Sequence, residues 1–196
     1  MNRTIVLLTI AALSACSAPS PEAKAPAAAS TAPATTAAPD KVQAAPPLAL
    51  SQRCTNTTYG ISVAYPAGWH TNDGSVIPAC SAFDPEPIVV PRESELPFDI
   101  AVIFGIETVP LDQLTRSTQW ERVLSTQQLT LHGRAASRVE VEATGEGLAD
   151  RGLRSVRYVI ALDDGRSLLA ATHATDASYP QNQEILKRMV ESVTVE

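Results

Sequence analysis

Thr58-Tyr59-Gly60-Ile61-Ser62-Val63-Ala64-Tyr65, followed by Pro66-Ala67-Gly68-Trp69, is the most regular stretch of the chain. Tyr59, Ile61, Val63 and Tyr65 fall on every second residue, so an extended segment here carries one apolar face, the pattern of a half-buried β-strand. Ser62 is then expected on the opposite face, toward solvent. Pro66-Ala67-Gly68 is a turn signal, and Trp69-His70-Thr71 reads as a short return strand before the next break at Asn72-Asp73-Gly74.

Downstream the same period recurs. Phe98, Ile100, Val102, Phe104 and Ile106 line one face of a strand over residues 98–109, with Ala101 and Ile103 making the other face nearly apolar, so packing is expected on both sides. Pro85, Pro87, Pro91 and Pro97 leave residues 81–97 without an expected regular element. Leu111, Leu114, Trp120, Val123 and Leu124 have helical spacing in two pieces, so short helices are expected between residues 110 and 125. Gln127–Leu131 and Arg134–Thr144 flank His132-Gly133 as a hairpin, which Gly145-Glu146-Gly147 ends. Gly152–Leu162 and Ser167–Thr172 flank the tight-turn signal Asp163-Asp164-Gly165-Arg166.

The clearest helix is Ser178–Val193. Ser178 is placed to cap it, Pro180 sits in the first turn where no amide is missed, and Ile185, Leu186, Met189, Val190 and Val193 form one stripe. A series of antiparallel strands enclosing a helical piece and closed by a helix is an α+β arrangement, an antiparallel sheet flanked by helices.

This domain occupies residues 51–196, long enough for one hydrophobic core. Only Arg3, Lys24 and Lys41 precede it among the cations, which leaves 12 Lys and Arg against 19 acidic residues in the domain. That balance argues against nucleic acid or an anionic membrane surface as partner, since both require a basic face.

The N-terminal residues are of two other kinds. Residues 1–15 hold a short positive start and an apolar run, Ile5–Leu13, less than half of the roughly 20 residues needed to span a bilayer. They read as a signal peptide. Leu13-Ser14-Ala15-Cys16 resembles the lipobox of bacterial lipoproteins, which implies that the Cys16 thiol is diacylglycerated and becomes the new N-terminus, an anchor in the membrane. The alternative is an ordinary signal peptide cut after Ala15. In Gram-negative lipoproteins, which the motif resembles, Asp after the cysteine commonly retains the protein in the inner membrane, so the resemblance implies that Ser17 leans toward the outer membrane. Residues 16–50 continue as a tether. From Ser17 to Leu50 there are 13 Ala, 7 Pro and 6 Ser or Thr, a composition that cannot bury enough apolar surface to offset its ordering entropy.

With Cys16 lipidated, Cys54 and Cys80 remain as an even pair in an exported, oxidising compartment, and a disulfide between them is expected. A redox or metal-binding thiol pair lacks the C-x-x-C spacing.

Tyr59 through Trp69, a Gly-led alternating strand ending in Tyr-Pro-x-Gly-Trp, resembles the opening of PsbP/Mog1-like domains. The strand pair around Asp163-Asp164-Gly165, the terminal amphipathic helix and the Thr194-Val195 tail fit the same pattern. The resemblance implies an antiparallel sheet between helices, in a family of mostly accessory and binding modules, and brings no catalytic residue set.

Candidate chemistry is sparse. His70, His132 and His173 lie in different elements, so no metal site is expected. Gly60-Ile61-Ser62-Val63-Ala64 misses the last glycine of a nucleophile elbow and lies within a strand. Asp163-Asp164-Gly165 lacks the further oxygens of a calcium loop. Arg151, Arg154 and Arg157 recur every third residue. They could clamp an anion bidentately, but cross-strand pairing with Glu140 and Glu142 is the favoured reading. No catalytic residue, cofactor or metal is assigned. The expected function is a lipid-anchored accessory or protein-interaction module of the cell envelope. The alternative is a small-ligand-binding envelope protein with a pocket near Trp69 or Trp120.

Overall fold

The structure, a computed structural model, describes residues 49–90 and 99–195. The signal peptide, Cys16 and nearly all of the tether lie outside the described residues, as do Pro91, Pro97 and Phe98. The described strands pair antiparallel and form two sheets.

The smaller sheet has three strands. Its centre is β2 (Ile61–Pro66), the strand marked by the alternating motif; β1 (Leu50–Asn56) and the closing β10 (Thr194–Val195) flank it. The register sets Cys54 opposite Val63 and Thr194 opposite Ser62. The domain's first strand thus begins at Leu50, the last residue of the composition-defined tether. Ser62 does not face solvent. It is buried, its hydroxyl accepting hydrogen bonds from Arg53 Nη1 at 3.0 Å and Thr55 Oγ1 at 3.1 Å, because β1 lays its polar side chains over that face.

The larger sheet has seven strands. In chain order they are β3 (His70–Thr71), β4 (Ala82–Asp84), β5 (Val102–Glu107), β6 (Glu121–Leu131), β7 (Arg134–Ala143), β8 (Arg154–Ala161) and β9 (Ser167–His173), with a one-turn helix α1 (Leu111–Leu114) between β5 and β6. Their spatial order is β3-β4-β5-β9-β8-β7-β6. The chain therefore leaves β5 in the middle of the sheet, crosses one face, enters the far edge at β6 and meanders back to β9. The β6–β7 corner is the His132-Gly133 turn, both residues at positive φ (52° and 76°), as a two-residue hairpin loop requires.

Two expectations fail here. β4 lies inside the proline-rich stretch read as irregular. Buried Asn72 organises it: its Oδ1 accepts from the Ser81 and Ala82 amides at 2.9 and 3.0 Å, while its Nδ2 donates to the carbonyls of Ile77 and Pro78. The second helical piece is absent. Trp120 lies in a loop, and Val123 and Leu124 belong to β6, whose register shifts between Val123 and Ser125.

One face of the large sheet, called inner here, carries Phe104, Leu168, Ala170, Val156, Tyr158, Ile160 and Ala136. It packs against the helix α2 (Tyr179–Glu191) and against Ile61, Val63 and Tyr65 of the small sheet. Ile185, Leu186, Met189, Val190 and Val193 are all buried there, as the stripe predicts. Each such side chain contributes about 1.5–3 kcal/mol of hydrophobic stabilisation. Ser178 makes no capping bond to the helix amides. It sits in a helical conformation, donates to the Asp176 carboxylate and accepts from Asn182 Nδ2 at 2.9 Å. The opposite, outer face is covered by one helical turn and loops, so helices flank the sheet unequally.

Candidate functional site

The outer face follows from the crossing between β5 and β6. Residues 108–120 pass over β9 and β8, Ser167 Oγ donates to the Val109 carbonyl at 3.0 Å, and α1 rests against β8. Arg116 Nη2 bonds the Asp112 carboxylate at 2.7 Å, one turn apart. The loop between β7 and β8 rises beside this segment. Thr144 Oγ1 donates to the Gln119 carbonyl at 2.7 Å, the Thr144 amide to the Trp120 carbonyl at 2.8 Å, and the Gly152 amide to the Ala143 carbonyl at 2.9 Å. Gly147 packs closely here: a Cβ would lie 3.2 Å from Trp120 Cδ1, so the indole would have to shift by a few tenths of an ångström.

Between these two segments and the sheet lies an open cavity of about 550 Å³. Leu114, Trp120, Ala143, Leu148 and Ala149 supply its apolar wall, and Arg116, Glu121 and Arg157 its charges. Trp120 is 53 % exposed and Leu148 76 %, large apolar side chains left at the mouth.

Arg157 projects from the outer face of β8, flanked by Val139 on β7 and Ala171 on β9. Its side chain is only 11 % exposed. Nη1 donates to Glu121 Oε2 at 2.6 Å, and Nε is buried with no hydrogen-bond partner among the described residues. The cross-strand expectation thus holds only in part. Arg154 lies loosely on Glu142 at 3.9 Å, Glu140 pairs with Arg138 at 2.8 Å, Arg151 is an exposed loop residue, and Arg157 takes an acid from β6 that the spacing did not indicate.

Next along this face, Ser155 Oγ and His173 Nδ1 lie 2.6 Å apart across β8 and β9. Burial holds the His173 imidazole below its ordinary pKa, opposed by the charge of Glu121. The sequence reading missed this pair. Ser155 is buried, neither residue lines the cavity, and the hydroxyl has His173 as partner, so the pair reads as a satisfied structural contact.

The remaining candidates stand apart. His70 is exposed on β3, and His132 Nε2 is 3.4 Å from the Val190 carbonyl. No group of three His, Cys, Asp or Glu is arranged to hold a metal among the described residues. The carboxylates of Asp163 and Asp164 are held by Arg134 at 2.7 Å and Arg166 at 2.6 Å. Cys54 and Cys80 are disulfide-bonded, with an S–S distance of 2.03 Å and Cα atoms 5.8 Å apart. Trp69 borders a second, larger groove of about 720 Å³ edged by Asp84, Glu86, Asp99 and Asp176. Two of those acids are occupied by the backbone: Asp84 accepts from the Glu86 and Ala101 amides, and Asp176 from the Ser178 amide.

No protein-family model matches the sequence, and no curated protein is similar to it at a meaningful level. Among solved structures, the chain is similar to cyanobacterial PsbP (CyanoP) from Synechocystis sp. PCC 6803, with 12 % identity over 74 % of this chain and 92 % of that one and a TM-score of 0.45. It is similar also to the Ran-binding protein Mog1p of Saccharomyces cerevisiae, with 13 % identity over 74 % of this chain and 94 % of that one and a TM-score of 0.46.

Proposed function

We propose that this protein is an exported, lipid-anchored module of the cell envelope that binds a small molecule in the cavity between α1, the β7–β8 loop and the outer face of the large sheet. The observation that carries the reading is the cavity itself: about 550 Å³, apolar over most of its wall, with a few polar groups converging on it. That combination is typical of small-molecule sites. The Cys54–Cys80 disulfide fits an oxidising compartment, and Leu13-Ser14-Ala15-Cys16 supplies the anchor, with the Ala/Pro-rich stretch as spacer.

Trp120 reports on this site directly. In a Trp69→Phe protein it is the sole tryptophan, and a small-molecule library should contain compounds that quench or blue-shift its emission. A flat response throughout removes the reading. The anchor is tested separately: Cys16→Ala should move the protein from the membrane to the soluble fraction, and unchanged fractionation removes the lipid.

A protein-interaction role is the second reading, favoured by the exposure of Trp120 and Leu148 side by side at the cavity mouth. Crosslinking in the intact envelope that recovers one reproducible partner through position 148 would shift the balance toward it.

A further inference from the structure

Building on the reading that this cavity holds a small molecule, we propose that its occupant is an organic monoanion, a carboxylate on an apolar body, seated against Arg157. The charges of the wall come first. Arg116 is paired with Asp112 at 2.7 Å, which leaves Arg157 and Glu121, 2.6 Å apart, as the charges that face each other across the lining. The surrounding side chains, Leu114, Trp120, Ala143, Leu148 and Ala149, are apolar, so charged recognition of an occupant falls to Arg157.

The state of Arg157 gives the second argument. A guanidinium has five N–H donors in a planar fork. Here Nη1 is spent on Glu121 and Nε is buried without a partner among the described residues. An unspent donor on a largely desolvated cation is costly to keep, and a carboxylate is the acceptor whose two oxygens match the fork. Neighbouring strands hold the Arg157 stem in place, since Val139 is fully buried and Ala171 nearly so. Glu121 opens β6 at the edge of the cavity and is one-third exposed, so it is the side chain that can yield to an incoming anion.

The third argument is contrast. The larger groove beside Trp69 is edged by four carboxylates and would repel the same ligand. Of these two cavities, the one at Arg157 is therefore the one suited to an anion.

The test uses the full chain and three matched probes, phenylbutanoate, phenylbutanol and phenylbutylammonium, titrated by calorimetry at neutral pH. Phenylbutanoate should bind about tenfold or more tighter than the alcohol, the gain expected of hydrogen bonds to a charged donor, and the ammonium should bind most weakly. Arg157→Gln should erase the preference. Glu121→Gln should strengthen the acid and leave the alcohol unchanged, the opposite of what loss of a merely structural ion pair would do. This variant keeps the test decisive if Arg157→Gln fails to fold. Leu148→Ala should weaken acid and alcohol alike. Equal affinity for the three probes, or no gain for the acid in Glu121→Gln, overturns the monoanion while leaving the small-ligand reading intact. Absence of binding by every probe in both the natural chain and Glu121→Gln overturns the small-ligand reading itself.

Discussion

On β8, Val156, Tyr158 and Ile160 face α2 and the small sheet, while Ser155, Arg157 and Val159 face α1 and the loops above it. One strand thus serves two surfaces that differ in kind. The inner surface is closed by a 13-residue amphipathic helix and a second sheet over one apolar cluster, beside which Arg138 bonds Glu140 and, on the helix, Gln183. The outer surface has a single helical turn and a crossing loop over it, and it gathers Glu121, Arg157, Ser155 and His173. A sheet covered on one side by a continuous apolar layer can tolerate an incompletely covered second side. A cavity and a half-satisfied guanidinium can persist on the outer side because the inner side holds the fold together.

The largest expected effect lies on the inner side. Phe83 is fully buried, its ring 5.2 Å from Tyr65 and 5.7 Å from Phe104, and so joins the small sheet to the large one. Phe83→Ala should cost about 3–5 kcal/mol in guanidinium denaturation. A loss below about 1 kcal/mol would mean that the two sheets are not held by this contact.

Next in size is the disulfide. It ties β1, an edge strand with mostly exposed side chains, to the segment just before β4. Replacing both cysteines with alanine should cost about 3 kcal/mol, chiefly by freeing the unfolded chain. Phenylbutanoate affinity at the outer cavity should not change. If it does, the outer face is not independent of the inner construction.

A smaller effect of opposite sign sharpens the contrast. Thr172 lies on β9 opposite Val156, fully buried on the inner face, and its hydroxyl has no partner among the described residues. Valine has the same shape without the oxygen, so Thr172→Val should stabilise by about 1 kcal/mol. On the outer face the buried hydroxyl of Ser155 does have a partner in His173, and Ser155→Ala should destabilise. Equal effects of the two substitutions would erase the distinction between the faces.

How much of this was readable beforehand follows from the same division. The inner side repeats simple periods: two in Ile61, Val63 and Tyr65, three and four in Ile185, Leu186, Met189 and Val190. Those elements were legible. β1 was not, because Leu50–Asn56 is a largely exposed edge strand with no apolar alternation to detect. The residues of β6 misled for a definite reason. Its irregularity at Leu124 sets Val123 and Leu124 side by side, and with Trp120 upstream that break in alternation imitates helical spacing. The outer cluster was legible only as ingredients. Arg157 stood out within the Arg151, Arg154, Arg157 spacing, but its acid arrives from position 121, brought near by a crossing connection that no local pattern encodes.

The last effect is a pH dependence confined to the outer face. Burial lowers the His173 pKa from its ordinary 6.5, with Glu121 opposing, so the folded protein takes up this proton less readily than the unfolded chain does. The sign follows from linkage. Above the ordinary histidine range neither state is protonated and the contribution to stability is fully present. As pH falls through 6.5 the unfolded chain gains a proton first, and stability drops until the folded His173 also titrates. Asp73, Asp163, Asp164 and Asp176 have lowered values, so their contributions are lost only at more acidic pH, in a separate window. Denaturation midpoints should therefore decline between neutrality and about pH 5, and His173→Gln should flatten that decline. Parallel curves for the two proteins would mean that His173 is as well solvated as an unfolded histidine. The outer face would then be wetter, along its whole width, than the Ser155–His173 contact implies.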